Sequence, residues 1–158
     1  IIGCDSDLIG PYGCGHDISR TWMADGTPDD RQRRLYAACF EHVHRNMELL
    51  KPGLSFLELM EKGFCYSAEL AEQNFTTIFH GLGLENEWPI IMSPDKLHIP
   101  GAYGGGYDGV LEVGMTLCIE SYAGETGGPD GVKLEEMVLI TEAGAVPLGL
   151  TPYQEDWL

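Results

Sequence analysis

Residues 4–22 read CDSDLIGPYGCGHDISRTW, and the rest of the chain is organised around them. The GPYG at residues 10–13 is typical of a turn between two extended segments. In a strand, alternate side chains share a face, so Asp5 and Asp7 would point the same way about 7 Å apart. A hairpin return would bring Asp17 beside them. Three carboxylates on one face repel one another unless a cation lies between them, so this stretch predicts a metal site.

The length and composition are those of a globular domain. The 158 residues are enough for one domain, and 44% hydrophobic and 9% aromatic residues are ordinary values. The chain begins with Ile1 rather than Met and opens inside a predicted strand. We therefore expect residues 1–158 to be a single C-terminal domain of a longer protein.

The charge of the chain is strongly acidic. Nine Lys and Arg stand against 25 Asp and Glu, which gives a formal net charge of −16. Such a field repels phosphate backbones and anionic lipid, so we expect neither a nucleic acid nor a membrane partner. It attracts cations, whether metal ions or a cationic substrate. No apolar run approaches the roughly 18 residues that a transmembrane helix needs.

The cysteines predict reduced thiols. They are odd in number and contain no Cys-x-x-Cys pair, which argues against a disulfide framework and against a thiolate zinc site. We accordingly expect a cytoplasmic protein. The five residues are Cys4, Cys14, Cys39, Cys65 and Cys118.

Two helices are predicted after the first hairpin. Thr27 is placed to cap the first helix and Pro28 to occupy its first position, and an apolar stripe then recurs at three and four residues as far as Leu50. The capping box at residues 55–58 begins the second helix, which we expect to run to about Glu72. Packing accounts for both helices.

The second half of the chain predicts strands. Their approximate ranges are 75–79, 88–92, 113–122, 132–140 and 146–150. One hairpin, two helices and then several strands indicate an α+β fold, with a mainly antiparallel sheet and the helices on one face.

Three further side chains carry potential chemistry. A β-rich run delivers His80 next to Gly81, where a small residue leaves room for a ligand; a hydrogen-bonded core histidine is the alternative. Glu120 ends an apolar strand, where a carboxylate is costly unless it is paired or metal-bound. Glu135 and Glu136 pose the same problem, and alternation does not choose between them.

Together these motifs resemble the catalytic half of a pita-bread metalloenzyme, the fold of methionine and Xaa-Pro aminopeptidases, prolidase and creatinase. The resemblance rests on Asp7, Asp17 before ISRT, HGLG at 80–83, Glu120 and GVKLE at 131–135. It implies a curved sheet with helices on its outer face, a preceding N-terminal domain and a homodimer. It also implies two iron, manganese, zinc or cobalt ions, and it selects Glu135 over Glu136. The implied ligands are Asp5, Asp7, Asp17, His80, Glu120 and Glu135.

A narrower resemblance is to the dimethylsulfoniopropionate lyases of this fold. The peptidases usually have one Asp in the first strand, whereas this chain has the pair Asp5 and Asp7. The peptidases carry a substrate-handling His where this chain, like the lyases, has Glu87. One departure concerns Asn86, since the lyases have there an Asp credited with proton abstraction. An amide is not a base, so either Glu85 or Glu87 takes that role, or the substrate differs.

The resemblance therefore implies a metal-dependent lyase that splits a zwitterionic carboxylate into dimethyl sulfide and acrylate. The first alternative is an Xaa-Pro dipeptidase or aminopeptidase that hydrolyses a short peptide, with Glu120 as the proton shuttle. The second alternative is a pita-bread domain that has kept the fold but only binds a ligand.

Overall fold

The chain begins with a long, interrupted β-hairpin. A computed structural model describes residues 1–70, 73–84, 86–96 and 108–158. Strand β1 (Ile2–Asp5) pairs with β4 (Ser19–Trp22), and β2 (Leu8–Ile9) pairs with β3 (Gly15–His16), both antiparallel. The turn between β2 and β3 places Tyr12 at φ 65° and Gly13 at φ 81°. The predicted hairpin is present, but residues 6–7 and 17–18 interrupt its ladder.

The first helix, α1 (Asp30–Leu49), begins two residues later than the sequence suggests. The predicted cap at Thr27 and start at Pro28 are wrong. Asp29 caps the helix instead, because its carboxylate accepts from the backbone N–H of Gln32 while the Gln32 side chain accepts from the Asp29 N–H. Such a reciprocal capping box satisfies two of the helix's first N–H groups.

The second helix, α2 (Phe56–Lys62), is shorter than predicted. Its capping box between Ser55 and Glu58 is present. The predicted extension to Glu72 is wrong, because Gly63, at φ −52° and ψ 136°, leaves the helical conformation and ends the helix. Apolar residues beyond this point are partly buried without being helical.

The main sheet has five antiparallel strands in the order β6-β5-β7-β8-β9. The expected strands are all present, with bounds that differ by a few residues. The strands are β5 (Thr77–Leu82), β6 (Asn86–Met92), β7 (Thr116–Gly124), β8 (Gly131–Thr141) and β9 (Gly144–Pro147). The prediction of an α+β fold with a mainly antiparallel sheet is therefore confirmed.

The two faces of this sheet have different partners. Helix α1 packs on β7 and β8 over one face. Strand β4 of the hairpin also packs against β8, which brings the aspartates of the hairpin to the sheet. The apolar core beneath α1 includes Leu35, Tyr36, Cys39, Val43, Leu117, Ile119, Leu134 and Val138.

His42 lies inside this packing rather than at the surface. It is only 3% exposed, and its ring stacks on that of Tyr66 with the centroids 4.5 Å apart. Burial lowers the pKa of His42 to about 4. The imidazole is therefore neutral in the folded protein across the pH range in which an exposed imidazole takes up a proton.

We expect His42 to make stability fall in mild acid. Its folded pKa lies below the unfolded value of 6.5, so the unfolded chain binds the extra proton as the pH falls towards about 4. The effect is absent above the unfolded pKa and amounts to at most about 1.4 kcal/mol per pH unit inside the window. Urea unfolding of the native protein and of His42→Phe, which keeps an aromatic ring, measures it. A stability difference between the two that does not change with pH would contradict this prediction.

Across the described parts of the chain, no helix is both long enough and apolar enough to cross a membrane.

Candidate metal centre

The register of the sheet collects the predicted side chains on one face. His80 of β5 lies directly opposite Cys118 of β7, and Glu120 of β7 lies opposite Glu135 of β8. Directly paired residues point to the same face, and so do residues two apart on one strand. All four side chains therefore project from the face that the hairpin approaches.

The distances confirm that three of these groups meet. Nε2 of His80 lies 3.3 Å from Oε1 of Glu135 and 3.4 Å from Oε1 of Glu120. It lies 3.9 Å from Oδ2 of Asp17, which comes from the hairpin. All four residues are buried. One imidazole is thus surrounded by three carboxylates in the interior.

Asp17 belongs to two groups of potential ligands. One ligand atom each from Asp5, Asp7 and Asp17 lie within 4.8 Å of one another. The same holds for Asp17 together with His80, Cys118 and Glu135. Asp5 and Asp7 are exposed whereas Asp17 is buried, so Asp17 connects a solvent-facing group to an interior one.

Two groups that the sequence did not single out also lie here. The Ser19 hydroxyl is a donor 2.8 Å from both Oδ1 of Asp5 and Oε2 of Glu135. The Lys133 ammonium contacts Asp5 and lies 3.3 Å from Oε2 of Glu120. Burial lowers the pKa of Lys133, but Glu120 and Asp5 raise it by more, above its ordinary value. Lys133 therefore supplies one positive charge to the cluster.

The electrostatics of the cluster favour additional cations. Burial raises the pKa of Asp17 well above its ordinary value, and the negative charges of Glu135 and Asp7 raise it further. Burial lowers the pKa of His80, but hydrogen bonds to Glu120 and Glu135 more than reverse this and raise it. The cluster retains protons because it holds more negative charge than its own cations balance.

The residues present fit a metal centre. Among the described residues, Oδ1 of Asp17 is buried without a hydrogen-bond partner, although buried polar atoms normally have one. Carboxylates with one imidazole form a hard to borderline ligand set, which suits iron, manganese, zinc or cobalt. A bound cation would neutralise the excess negative charge of the cluster and would also bind Oδ1 of Asp17.

Glu136 lies on the opposite face and has a different partner. Its Oε2 is 2.6 Å from Nη2 of Arg20, and both side chains are 3% exposed. Arg20 also donates to the carbonyl oxygens of Glu135 and Thr151, at 2.5 and 2.8 Å. The guanidinium stacks on the ring of Tyr153 at 4.0 Å. Glu136 is thus committed to an ion pair behind the sheet, and Glu135 is the carboxylate that reaches the cluster.

A cavity of about 310 Å³ adjoins the cluster. Glu87 lies on its wall at φ 60°, a left-handed conformation that is unusual for a residue other than glycine. The Phe75 ring, also on the wall, is 5.0 Å from the Lys133 ammonium. The lining residues are Phe75, Thr76, Thr77, His80, Glu87, Ile90 and Glu120.

The other two predicted base candidates have no described side chain. Glu85 lies outside the described residues, and Asn86 is placed only as the first residue of β6. Of the catalytic candidates, Glu87 and Glu120 line the cavity together.

Cys118 and Lys133 of the main sheet lie beside the cluster but were not predicted as site residues. The sequence nevertheless holds a weak signal for both. Cys118 stands two residues before Glu120, and Lys133 stands two residues before Glu135. Residues two apart on a strand share a face, so the choice of Glu120 and Glu135 as ligands already placed both neighbours beside the site.

A family model matches most of the chain. Metallopeptidase family M24 matches residues 2–142 of the chain. The chain therefore belongs to metallopeptidase family M24.

Relatives of two activities are similar to the chain. Dimethylsulfoniopropionate lyase DddP of Roseobacter denitrificans is 42% identical over 97% of this chain and 33% of the relative. Xaa-Pro dipeptidase of Pyrococcus furiosus is 34% identical over 85% of this chain and 36% of the relative. The chain thus spans about one third of the length of the curated relatives it matches.

Solved structures share the fold. The prolidase from Pyrococcus furiosus has a TM-score of 0.65 and is 33% identical, covering 88% of this chain and 38% of that one. Dipeptidase PepE from Mycobacterium ulcerans has a TM-score of 0.75 at 24% identity, over 96% of this chain and 38% of that one. This second likeness shows the fold alone. The predicted pita-bread fold is confirmed.

Proposed function

We propose that residues 1–158 form the C-terminal catalytic domain of a longer, dinuclear-metal enzyme that splits dimethylsulfoniopropionate into dimethyl sulfide and acrylate. The observation that carries the metal centre is the position of Asp17 in two groups of ligands at once. A carboxylate has two oxygens, so Asp17 can serve two cations. The domain assignment is supported by the share of the relatives that the chain spans, about one third.

The proposed ligands include one imidazole and five carboxylates, one of which is shared. The two ions are divalent or trivalent iron, manganese, zinc or cobalt. When bound, they polarise the substrate carboxylate and make the neighbouring C–H more acidic. The ligands are Asp5, Asp7, Asp17, His80, Glu120 and Glu135.

Two observations favour a lyase over a hydrolase. The lyase DddP is similar over more of the chain, and at higher identity, than the Xaa-Pro dipeptidase. Asp5, the additional acidic residue of the first strand, lies within the same group as Asp7 and Asp17. The net charge of −16 suits a cationic sulfonium group but would equally suit the N-terminus of a peptide, so it does not separate the two functions.

In this proposal Glu87 is the base. It lines the same cavity as His80 and Glu120, and its strained backbone holds it on the cavity wall. Its carboxylate takes the proton from the carbon next to the substrate carboxylate. The electron pair of that C–H bond becomes the double bond of acrylate, and the C–S bond breaks. Dimethyl sulfide leaves with the electron pair of the broken C–S bond.

The substrate assay decides among the candidate functions. The metal-reconstituted full-length protein receives dimethylsulfoniopropionate, and headspace gas is analysed for dimethyl sulfide; parallel samples receive Xaa-Pro dipeptides. Dimethyl sulfide supports the lyase, whereas release of proline without sulfide would establish the hydrolase instead. Bound metal with neither product points to a different substrate. Absence of bound transition metal after reconstitution would favour a domain that only binds a ligand.

We expect Glu87→Gln to lower the rate of dimethyl sulfide release by about 100-fold or more, the usual contribution of a positioned base. Its metal content should not change, because Glu87 belongs to neither group of ligands. The matched control is Glu85→Gln, which removes a charge two residues away and should retain activity. The opposite pattern, with Glu85 essential and Glu87 dispensable, would move the role to Glu85.

Three properties of the whole protein stay predictions. We expect a homodimer, a cytoplasmic location, and no nucleic acid or membrane partner. Light scattering of the full-length protein measures the first, since a homodimer has twice the mass of the chain.

A further inference from the structure

Cys118 is a fourth member of the interior ligand group. Its ligand atom lies within 4.8 Å of those of Asp17, His80 and Glu135. The side chain is fully buried, and its position opposite His80 fixes its direction into the cluster. No Cys-x-x-Cys pair is present in the sequence, so a sulfur ligand was not expected.

The hydrogen-bond partners of the Cys118 sulfur belong to the same ligand group. Its thiol donates to the carbonyl oxygen of Asp17 at a long 3.8 Å, and it also hydrogen-bonds with the side chain of Glu135. In the same group, Oδ1 of Asp17 is buried and no residue that the structure describes gives it a hydrogen-bond partner; Asp17 is 3% exposed. An unpaired carboxylate oxygen beside a buried sulfur, whose own partners are candidate ligands, is the arrangement that one shared cation would satisfy.

We propose that Cys118 is an additional sulfur ligand of the metal centre. This rests on the proposed metal site and adds to its carboxylates and imidazole. The thiol binds as a thiolate, and its proton is released to solvent when the metal binds. A thiolate is a soft ligand, so this centre should favour zinc or cobalt over manganese more strongly than carboxylates and imidazole alone would.

Cys39 provides a matched control within the chain. It is as deeply buried as Cys118 but lies in the core beneath α1. Its thiol donates to the carbonyl oxygen of Val132 at 3.3 Å and accepts from the hydroxyl of Tyr66 at 3.4 Å. Cys39 belongs to neither group of ligands. Replacing it removes a buried thiol without touching the cluster.

The experiment is spectroscopy of the cobalt-loaded full-length protein. The exposed thiols of Cys4 and Cys14 are first replaced by Ser, which removes surface sites for cobalt. Cobalt bound to a thiolate shows an intense near-ultraviolet charge-transfer band that oxygen and nitrogen ligands do not give. Metal content is measured on every sample. In the zinc-loaded protein, X-ray absorption measures the zinc–ligand distances independently.

We expect the charge-transfer band in the starting protein, which is the full-length protein with Cys4 and Cys14 replaced by Ser, and in its Cys39→Ser variant. We expect no band in its Cys118→Ser and Cys118→Ala variants. Zinc should have a sulfur neighbour at about 2.3 Å, distinct from the nitrogen and oxygen ligands at about 2.0–2.2 Å. The preference for zinc over manganese should fall by at least about tenfold in Cys118→Ser. Mutation of a residue that only supports a metal ligand already lowers metal affinity by about 10–100-fold, and the lower value is taken here.

Two results would overturn the inference while leaving the metal centre intact. One is cobalt bound at full content without the band, together with no sulfur neighbour of zinc. The other is a band of unchanged intensity in the Cys118 variants. Failure of the starting protein to bind any metal would instead overturn the proposed function, and the inference with it.

Discussion

Replacing Asp17 with Asn should remove both metal ions and all measurable activity from the full-length protein. Asp17 is the residue common to the solvent-facing and interior groups, so its loss weakens both positions together. We expect metal affinity to fall by at least about 100-fold. Mutation of a residue that only hydrogen-bonds to a metal ligand already lowers the affinity by about 10–100-fold, and Asp17 is proposed to be a ligand itself. Elemental analysis after dialysis measures the metal content.

The metal-free stability of this variant separates loss of metal from loss of fold. Burial and the charges of Glu135 and Asp7 raise the pKa of Asp17, so its ionised form is disfavoured in the folded state. Removing that charge should therefore leave the metal-free protein at least as stable at neutral pH. Asp25→Asn, at an exposed turn, is the control and should keep its metal. Full metal content in Asp17→Asn would contradict the prediction.

Replacing Arg20 with Ala should cost about 3–5 kcal/mol of the free energy of unfolding, the range for breaking a buried ion pair. The change leaves Glu136 charged and buried, at 2% exposure, without its guanidinium. It also removes the hydrogen bonds from the guanidinium to the carbonyl oxygens of Glu135 in β8 and of Thr151. Chemical denaturation of the metal-free protein measures the loss.

A double variant distinguishes the stranded charge from the lost packing. Arg20→Met with Glu136→Met replaces the pair by apolar side chains, and such replacements are often close to neutral. We expect it to be more stable than Arg20→Ala. If both variants lose the same stability, the hydrogen bonds to the main chain, rather than the uncompensated carboxylate, carry the effect.

The sequence predicted the architecture well because its signals are local. Turn residues at 10–13, the capping box at Ser55 and the alternating runs from Phe75 onward each act over a few residues. Errors arose where two local signals competed. Asp29 and Thr27 both suit a helix cap, and only Asp29 has Gln32 three residues ahead to complete the box.

The candidate site needed information that one segment does not hold. Alternation left Glu135 and Glu136 equivalent; what separates them is that Arg20 reaches Glu136 from behind the sheet. Alternation puts Cys118 on the face of Glu120 and Lys133 on the face of Glu135, but the position of Cys118 opposite His80 depends on the register between β5 and β7. Register depends on long-range pairing, which a pattern of residue types within one strand does not specify.

The contact between the hairpin and β8 has a consequence for how the protein is made. Ser19, which bridges Asp5 and Glu135, is separated from Glu135 by 116 positions in the chain. A ribosome therefore completes the aspartate hairpin long before it synthesises the last carboxylate of the cluster. Until then, the hairpin aspartates lack the carboxylates of the later strands, because the intervening helices and strands are still being synthesised. Ion uptake at the proposed centre would therefore require that synthesis has passed β8.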